Sequence, residues 1–239
     1  MEKNSNYLIG IDDAGRGPVA GPMLLAGVLI EESQVAEIKL TGAKDSKLLS
    51  PSQRETTLKK IKEIVKNSSF KIITPIEIDT GMGQGLNLNQ VEALAAASII
   101  NDLTKDFSLT QKSNLKIVLD CPSINTEGWK RQLMNYVADK KLEPQILCEH
   151  KADFNYPVVS AASILAKVTR DAEIEKIKQE INEDFGSGYP SDPKTKDFLE
   201  KNINNPKLKG IFRESWATFQ NAKLKAHDKT TKQTGLLKY

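Results

Sequence analysis

Residues 7–11 form a short apolar run that stops at two consecutive aspartates, Asp12 and Asp13, and then enters Ala14-Gly15-Arg16-Gly17-Pro18. This junction constrains the fold strongly. An apolar run of that length, bounded by turn residues, reads as a strand buried on both faces. The glycines and the proline demand a turn directly after it. A second strand-like run follows at residues 23–30. Two early strands joined by a short Gly/Pro turn predict an antiparallel hairpin.

Strand and helix patterns alternate along the rest of the chain. Ser50-Pro51 is a helix start, because serine caps free backbone amides and proline suits the first helical position. That helix is expected to reach about Lys66. Residues 70–74 read as a strand, 89–105 as a helix rich in alanine and leucine, 115–119 as a strand closing at Asp120, 126–138 as a helix, and 144–148 as a strand. The longest helical pattern runs from Pro157 to about Ile181, where Leu165, Val168, Ile174, Ile177 and Ile181 keep near one face. Residues 186–193 form a loop, a further helix starts near Lys194, and the polar end from about Lys223 is expected to be loose. Strands interleaved with helices give an α/β layer architecture around a mixed sheet.

In this reading the strands deliver carboxylates. Asp12 and Asp13 follow the first, Asp120 closes another, and Asp153 lies just past the strand that begins near Pro144. Taken singly, each aspartate is an ordinary turn residue. Four at strand ends have a second reading, because open α/β sheets bind ligands beside strand ends. Gathered carboxylates repel one another unless cations lie between them. Oxygen ligands without histidine or cysteine suit Mg²⁺ or Mn²⁺, and two such ions can act on a phosphodiester.

Composition excludes several classes. With 39% hydrophobic and 27% charged residues over 239 positions, the chain has the make-up of an ordinary globular protein. No apolar run approaches the roughly 20 residues that span a bilayer, and the start shows no signal-peptide pattern, so a cytoplasmic location is expected. Cys121 and Cys148 make no disulfide framework, and their spacing to His150 and His227 does not suit zinc. Charge is uneven. Residues 207–239 hold eight Lys/Arg against two Asp/Glu, a net +6, while the remainder carries 26 basic and 29 acidic groups, a net −3. A basic tail on an acidic body suits a polyanion, or simply stays solvated.

Longer motifs sharpen the reading. The run Gly10-Ile11-Asp12-Asp13-Ala14-Gly15-Arg16-Gly17-Pro18-Val19-Ala20-Gly21-Pro22 resembles the N-terminal signature of the ribonuclease HII family. Lys44-Asp45-Ser46-Lys47-Leu48, His150-Lys151-Ala152-Asp153 with the stretch from Tyr156 to Asp171, and Gly186 to Pro193 resemble that family's further motifs, in its order. The details are most similar to the archaeal branch. The resemblance implies a ribonuclease H-like fold, a central mixed β-sheet flanked by helices with a small helical C-terminal region. It implies a catalytic and metal-binding set of Asp12, Asp13, Asp120 and Asp153 holding two divalent ions, Mg²⁺ or Mn²⁺. It also implies that Gly15, Arg16, Gly17 and Tyr189 read the junction between RNA and DNA in an RNA/DNA hybrid or a ribonucleotide-containing duplex. The resemblance further implies a cut 5′ of the ribonucleotide that leaves a 3′-hydroxyl and a 5′-phosphate. Glycines fit that role, since no side chain blocks approach to a 2′-hydroxyl. Ser46, Lys47, Lys151, Ser160 and Ser163 are candidate phosphate contacts. The family usually carries glutamate where this chain has Asp13, one methylene shorter.

The expected organisation is a catalytic domain over 1–197, a basic helical region over 198–232, and a peptide over 233–239. That peptide resembles the sliding-clamp-binding segment of replication and repair proteins, with Gln233, Leu236 and Tyr239 at its anchor spacing. A monomer is expected. Two alternatives are a hybrid-binding protein of the same fold with a decayed metal site, and a DNA-only nuclease such as a Holliday-junction resolvase. The complete acidic set argues against the first, the glycine-arginine-glycine motif and Tyr189 against the second.

Overall fold

The computed structural model describes residues 6–43 and 49–236, with side chains through residue 228. In chain order the strands and α-helices are β1 (Tyr7–Ala14), β2 (Met23–Glu31), α1 (Val35–Leu40), α2 (Pro51–Ile64), β3 (Asn67–Ile73), α3 (Pro75–Gly83), α4 (Leu88–Thr104), α5 (Leu109–Ser113), β4 (Leu115–Asp120), α6 (Thr126–Tyr136), β5 (Ile146–Glu149), α7 (Ala152–Asn155), α8 (Pro157–Ile181), α9 (Pro193–Asn202) and α10 (Ala217–Leu236). The sheet order is β3-β2-β1-β4-β5. The β1–β2 pair is antiparallel, and β1–β4 and β4–β5 are parallel, so the sheet is mixed as expected.

The chain divides into two compact units. The first takes in the described residues of Met1–Ala14, Leu24–Ile72 and Leu86–Arg170; the second takes in Gly15–Met23, Ile73–Gly85 and those from Asp171 on. The first unit holds the sheet. Strand alternation sends Leu24, Ala26, Val28 and Ile30 of β2 to one face, where they pack with Val159, Ala162 and Ala166 of α8 and with Leu58 and Ile61 of α2. A Cβ placed on Gly10 would lie 2.3 Å from the backbone carbonyl carbon of Val158, so α8 begins directly against β1. The opposite face meets α4: a Cβ on Gly27 would lie 2.4 Å from Ile99. The second unit has its own core, in which Phe185, Phe198, Phe212 and Phe219 stack in sequence with ring centroids 5.4, 5.4 and 5.8 Å apart.

Local signals set many boundaries. Ser50, Thr74, Asn87 and Ser108 each accept from the amide three residues on, and Gln53, Glu77, Gln90 and Gln111 reciprocate, making four capping boxes. Three expectations need correction. The first strand does not stop before the aspartates: β1 continues through Asp12 and Asp13, because they pair with Ala26 and Leu25 of β2. The polar end, expected to be loose from about Lys223, has helical backbone in α10 as far as Leu236. Pro144 lies in a 3-10 turn, and β5 starts two residues later at Ile146. The short helices α1, α3, α5 and α7 carry too few turns to show a period. Among the described residues no helix is long and apolar enough to cross a membrane.

Candidate active site

All four aspartates lie in the first unit. The parallel ladder pairs Ile11 with Leu119, so Asp12 and Asp120 stand one step further along neighbouring strands. Alternation puts Asp12 on the α8 face with Gly10, and Asp13 on the α4 face with Ile11. Asp12 is 6% exposed and Asp153, on the first turn of α7, 7%. The Asp12 carboxylate accepts from the Asp13 amide at 2.8 Å and from the Ser163 hydroxyl. Those bonds favour its ionised form, but they are outweighed. Burial, and after it the neighbouring Asp13 and Asp120 carboxylates, push the Asp12 carboxyl well above the usual carboxylate range. The protein thus crowds negative charge at one point. This donor set, hard carboxylate oxygens crowded together, fits a divalent cation. Among the described residues no three such groups are already gathered as a ready-made ligand set.

The backbone positions these acids. Lys151 adopts left-handed angles, φ 56° and ψ 39°, which cost a non-glycine residue about 1 kcal/mol. This bend starts α7, aims the Ala152 amide at Asp120 Oδ1 (3.0 Å), and sets Asp153 in place. Lys151 itself is exposed. Ser160 is buried, and its hydroxyl donates to the Asp153 carbonyl at 2.5 Å, tying α8 to α7. The ends of β4 and β5 are clamped together by His150 Nδ1 against the Cys121 carbonyl (3.0 Å) and by the Cys121 amide donating to the Glu149 carbonyl (3.0 Å).

The second unit gathers the other sequence-derived residues. A Cβ on Gly17 would meet ring carbons of Tyr189 at 3.6 and 3.9 Å, so the glycine and the half-exposed ring are neighbours. The loop that carries Tyr189 is held at Gly188. Its carbonyl accepts from the Val19 and Ala20 amides (2.8 and 3.2 Å), and its amide donates to Thr195 Oγ1 (3.0 Å). Gly188 has φ 82°, and a Cβ there would lie 2.3 Å from the Ala20 carbonyl oxygen, so only glycine fits.

Two residues escaped the sequence reading. Glu92, on α4 and 2% exposed, lines a cleft with Asp12, Asp13, Asp120 and Trp129. Its signal was an acid in the first turns of an alanine- and leucine-rich helix. Arg213 is wholly buried and grips the loop that holds Gly15 and Arg16. Its signal was a cation inside the aromatic run Phe212-Arg213-Glu214-Ser215-Trp216. Ser46 and Lys47, and the side chains of Gln233, Leu236 and Tyr239, lie outside the described residues.

Comparison with known proteins places the chain in one family. A family profile described as Ribonuclease HII matches residues 9–219. A ribonuclease HII from Methanococcus maripaludis strain C6 is 44% identical over 221 residues, 92% of this chain and 88% of that protein. The crystal structure of ribonuclease H2 from Pyrococcus horikoshii OT3 superposes with a TM-score of 0.78 at 35% identity, covering 92% of this chain and 98% of that one. A complex of PCNA and RNase HII from Archaeoglobus fulgidus gives 0.75 at 34% identity, covering 88% and 95%.

Proposed function

The chain belongs to the ribonuclease HII family, with a ribonuclease H-like fold, and we propose that it cuts the RNA strand of RNA/DNA hybrids and cuts duplex DNA 5′ of embedded ribonucleotides. It is an endoribonuclease. The cut leaves a 3′-hydroxyl and a 5′-phosphate.

The observation that carries this reading is the crowding of Asp13 and Asp120 around buried Asp12. Asp12, Asp13, Asp120 and Asp153 would hold two divalent ions, Mg²⁺ or Mn²⁺. Bound ions supply an activated water and offset charge on the leaving oxygen. The protein's own work is orientation. Ser163 and the Asp13 amide fix Asp12, the Ala152 amide fixes Asp120, and Ser160 fixes the backbone that presents Asp153. Lys151, with Ser46 and Lys47, contacts phosphates near the cut, while the buried Ser163 hydroxyl is taken up by Asp12. Gly15, Arg16 and Gly17 receive the ribose, where a backbone without intervening side chains can reach a 2′-hydroxyl. The Tyr189 ring packs on the adjoining deoxyribose. Gln233, Leu236 and Tyr239 form a sliding-clamp contact, a reading supported by the Archaeoglobus RNase HII solved with PCNA.

An end-labelled RNA/DNA hybrid tests this reading. Wild-type protein with Mg²⁺ or Mn²⁺ should give fragments with 3′-hydroxyl ends. Asp120→Asn should bind the hybrid at near wild-type affinity and leave it whole. Cleavage by Asp120→Asn at the wild-type rate would remove the acidic cluster from the chemistry.

A further inference from the structure

Arg213 is 0% exposed, and a buried guanidinium must find acceptors for its rigid fork of donors. It finds backbone carbonyls: Nη2 donates to Gly15 (2.6 Å), Nη1 to Arg16 (2.8 Å) and Nε to Gly21 (3.1 Å). Its own position is fixed by its amide, which donates to the Val19 carbonyl (2.8 Å), and by the Trp216 ring, whose centroid lies 4.9 Å from the guanidinium carbon. One side chain thus ties both ends of the turn from Gly15 to Gly21, glycines whose φ angles are 82° and 83°.

The direction of these bonds has a chemical consequence. A trans peptide is planar, with its N–H opposite its C=O, and no cis peptide occurs among the described residues. Carbonyls of Gly15 and Arg16 that turn toward the guanidinium turn the N–H groups of Arg16 and Gly17 away from it. Gly17 is exposed and Arg16 half-buried, beside the Tyr189 ring. A hydroxyl oxygen can accept from such donors through its lone pairs.

We propose that Arg213 is a positioning residue for ribose recognition: by engaging the Gly15 and Arg16 carbonyls it makes the loop present hydrogen-bond donors, the Arg16 and Gly17 amides, to the 2′-hydroxyl oxygen. The proposal rests on the reading of Gly15-Arg16-Gly17 given above. Lysine at position 213 keeps the charge but not the fork, so the carbonyls are no longer held together.

The test uses the full chain in an Asp120→Asn background, so that duplexes stay uncut. Dissociation constants are measured for a DNA duplex with one ribonucleotide and for the same duplex in all-DNA form. With Arg213 intact, the ribonucleotide duplex should bind more tightly. Adding Arg213→Lys should cut that preference about tenfold or abolish it, the worth of one good hydrogen bond, with all-DNA affinity unchanged. A preference that survives Arg213→Lys overturns the proposal, as does an equal loss of both affinities, which marks a role in folding alone. Absence of preference with Arg213 intact sinks the loop reading itself, and is recognised because no change at 213 is involved. A second measurement needs no change at Arg213. In ¹⁵N spectra of Asp120→Asn, the Arg16 and Gly17 amides should shift with the ribonucleotide duplex and not with all-DNA. Unmoved amides in a bound complex count against the proposal.

Discussion

Asp12 holds its place against its own electrostatics. Burial and two neighbouring carboxylates oppose its ionisation, so keeping Asp12 charged costs the metal-free fold stability. Asp12→Asn removes that charge while keeping shape. It should raise the metal-free melting temperature by a few degrees, on the order of 1 kcal/mol, and abolish cleavage; a lower melting temperature would contradict the crowding. Asp13 raises a different question, since glutamate would move its carboxylate about 1.5 Å. Asp13→Glu should change rate or metal preference, by up to about 100-fold, because misplacements near 1 Å matter that much. Identical kinetics and metal dependence would remove Asp13 from the site. Gly17→Ala separates fold from recognition. The new methyl meets Tyr189 at ordinary contact distance, so stability should hold within about 0.5 kcal/mol while cutting at a single ribonucleotide falls at least tenfold. Burial pushes the Cys148 thiol up to about 12, so this cysteine should resist alkylation at neutral pH. A raised folded pKa favours the protonated form. Its stabilising effect is therefore complete below the ordinary thiol value near 9 and is lost as pH rises from 9 toward 12.

The acids at the sheet end depend on how closely α8 approaches β1. Gly10→Ala would drive a methyl into the Val158 carbonyl, backbone that cannot rotate aside. Denaturant unfolding should show a loss of about 3 kcal/mol or more, with activity falling as well. The α7 bend should behave oppositely: Lys151→Gly relieves the left-handed strain, leaving stability equal or up to about 1 kcal/mol higher, while substrate binding weakens through the lost charge. Elements with a cap and several turns were readable in the sequence, as Ser50-Pro51 and the whole of α8 show. The end of β1 was not. Aspartate disfavours strands, and only pairing with β2, a tertiary event, extends β1 across Asp12 and Asp13. The acids of the candidate site were legible because each lies at or near a strand end. Glu92 and Arg213 were not, because their roles arise from helix packing and from a contact spanning almost 200 positions.

For the whole molecule, charge division and chain order carry the remaining expectations. The body is acidic and the last 33 residues are basic, which suits a polyanion partner. Deleting residues 233–239 should leave the cutting rate on a free duplex unchanged and abolish binding to a sliding clamp; a slower cut on free duplex would give that segment a different role. The measurement closest to the central claim is cleavage of a labelled DNA duplex carrying one ribonucleotide, run with Mg²⁺, with Mn²⁺ and with chelator, beside an all-DNA duplex. The account predicts a single cut 5′ of the ribonucleotide, with either metal, none with chelator, and none in all-DNA. Tight binding without cutting under every metal condition, or cuts in the all-DNA duplex, would contradict it.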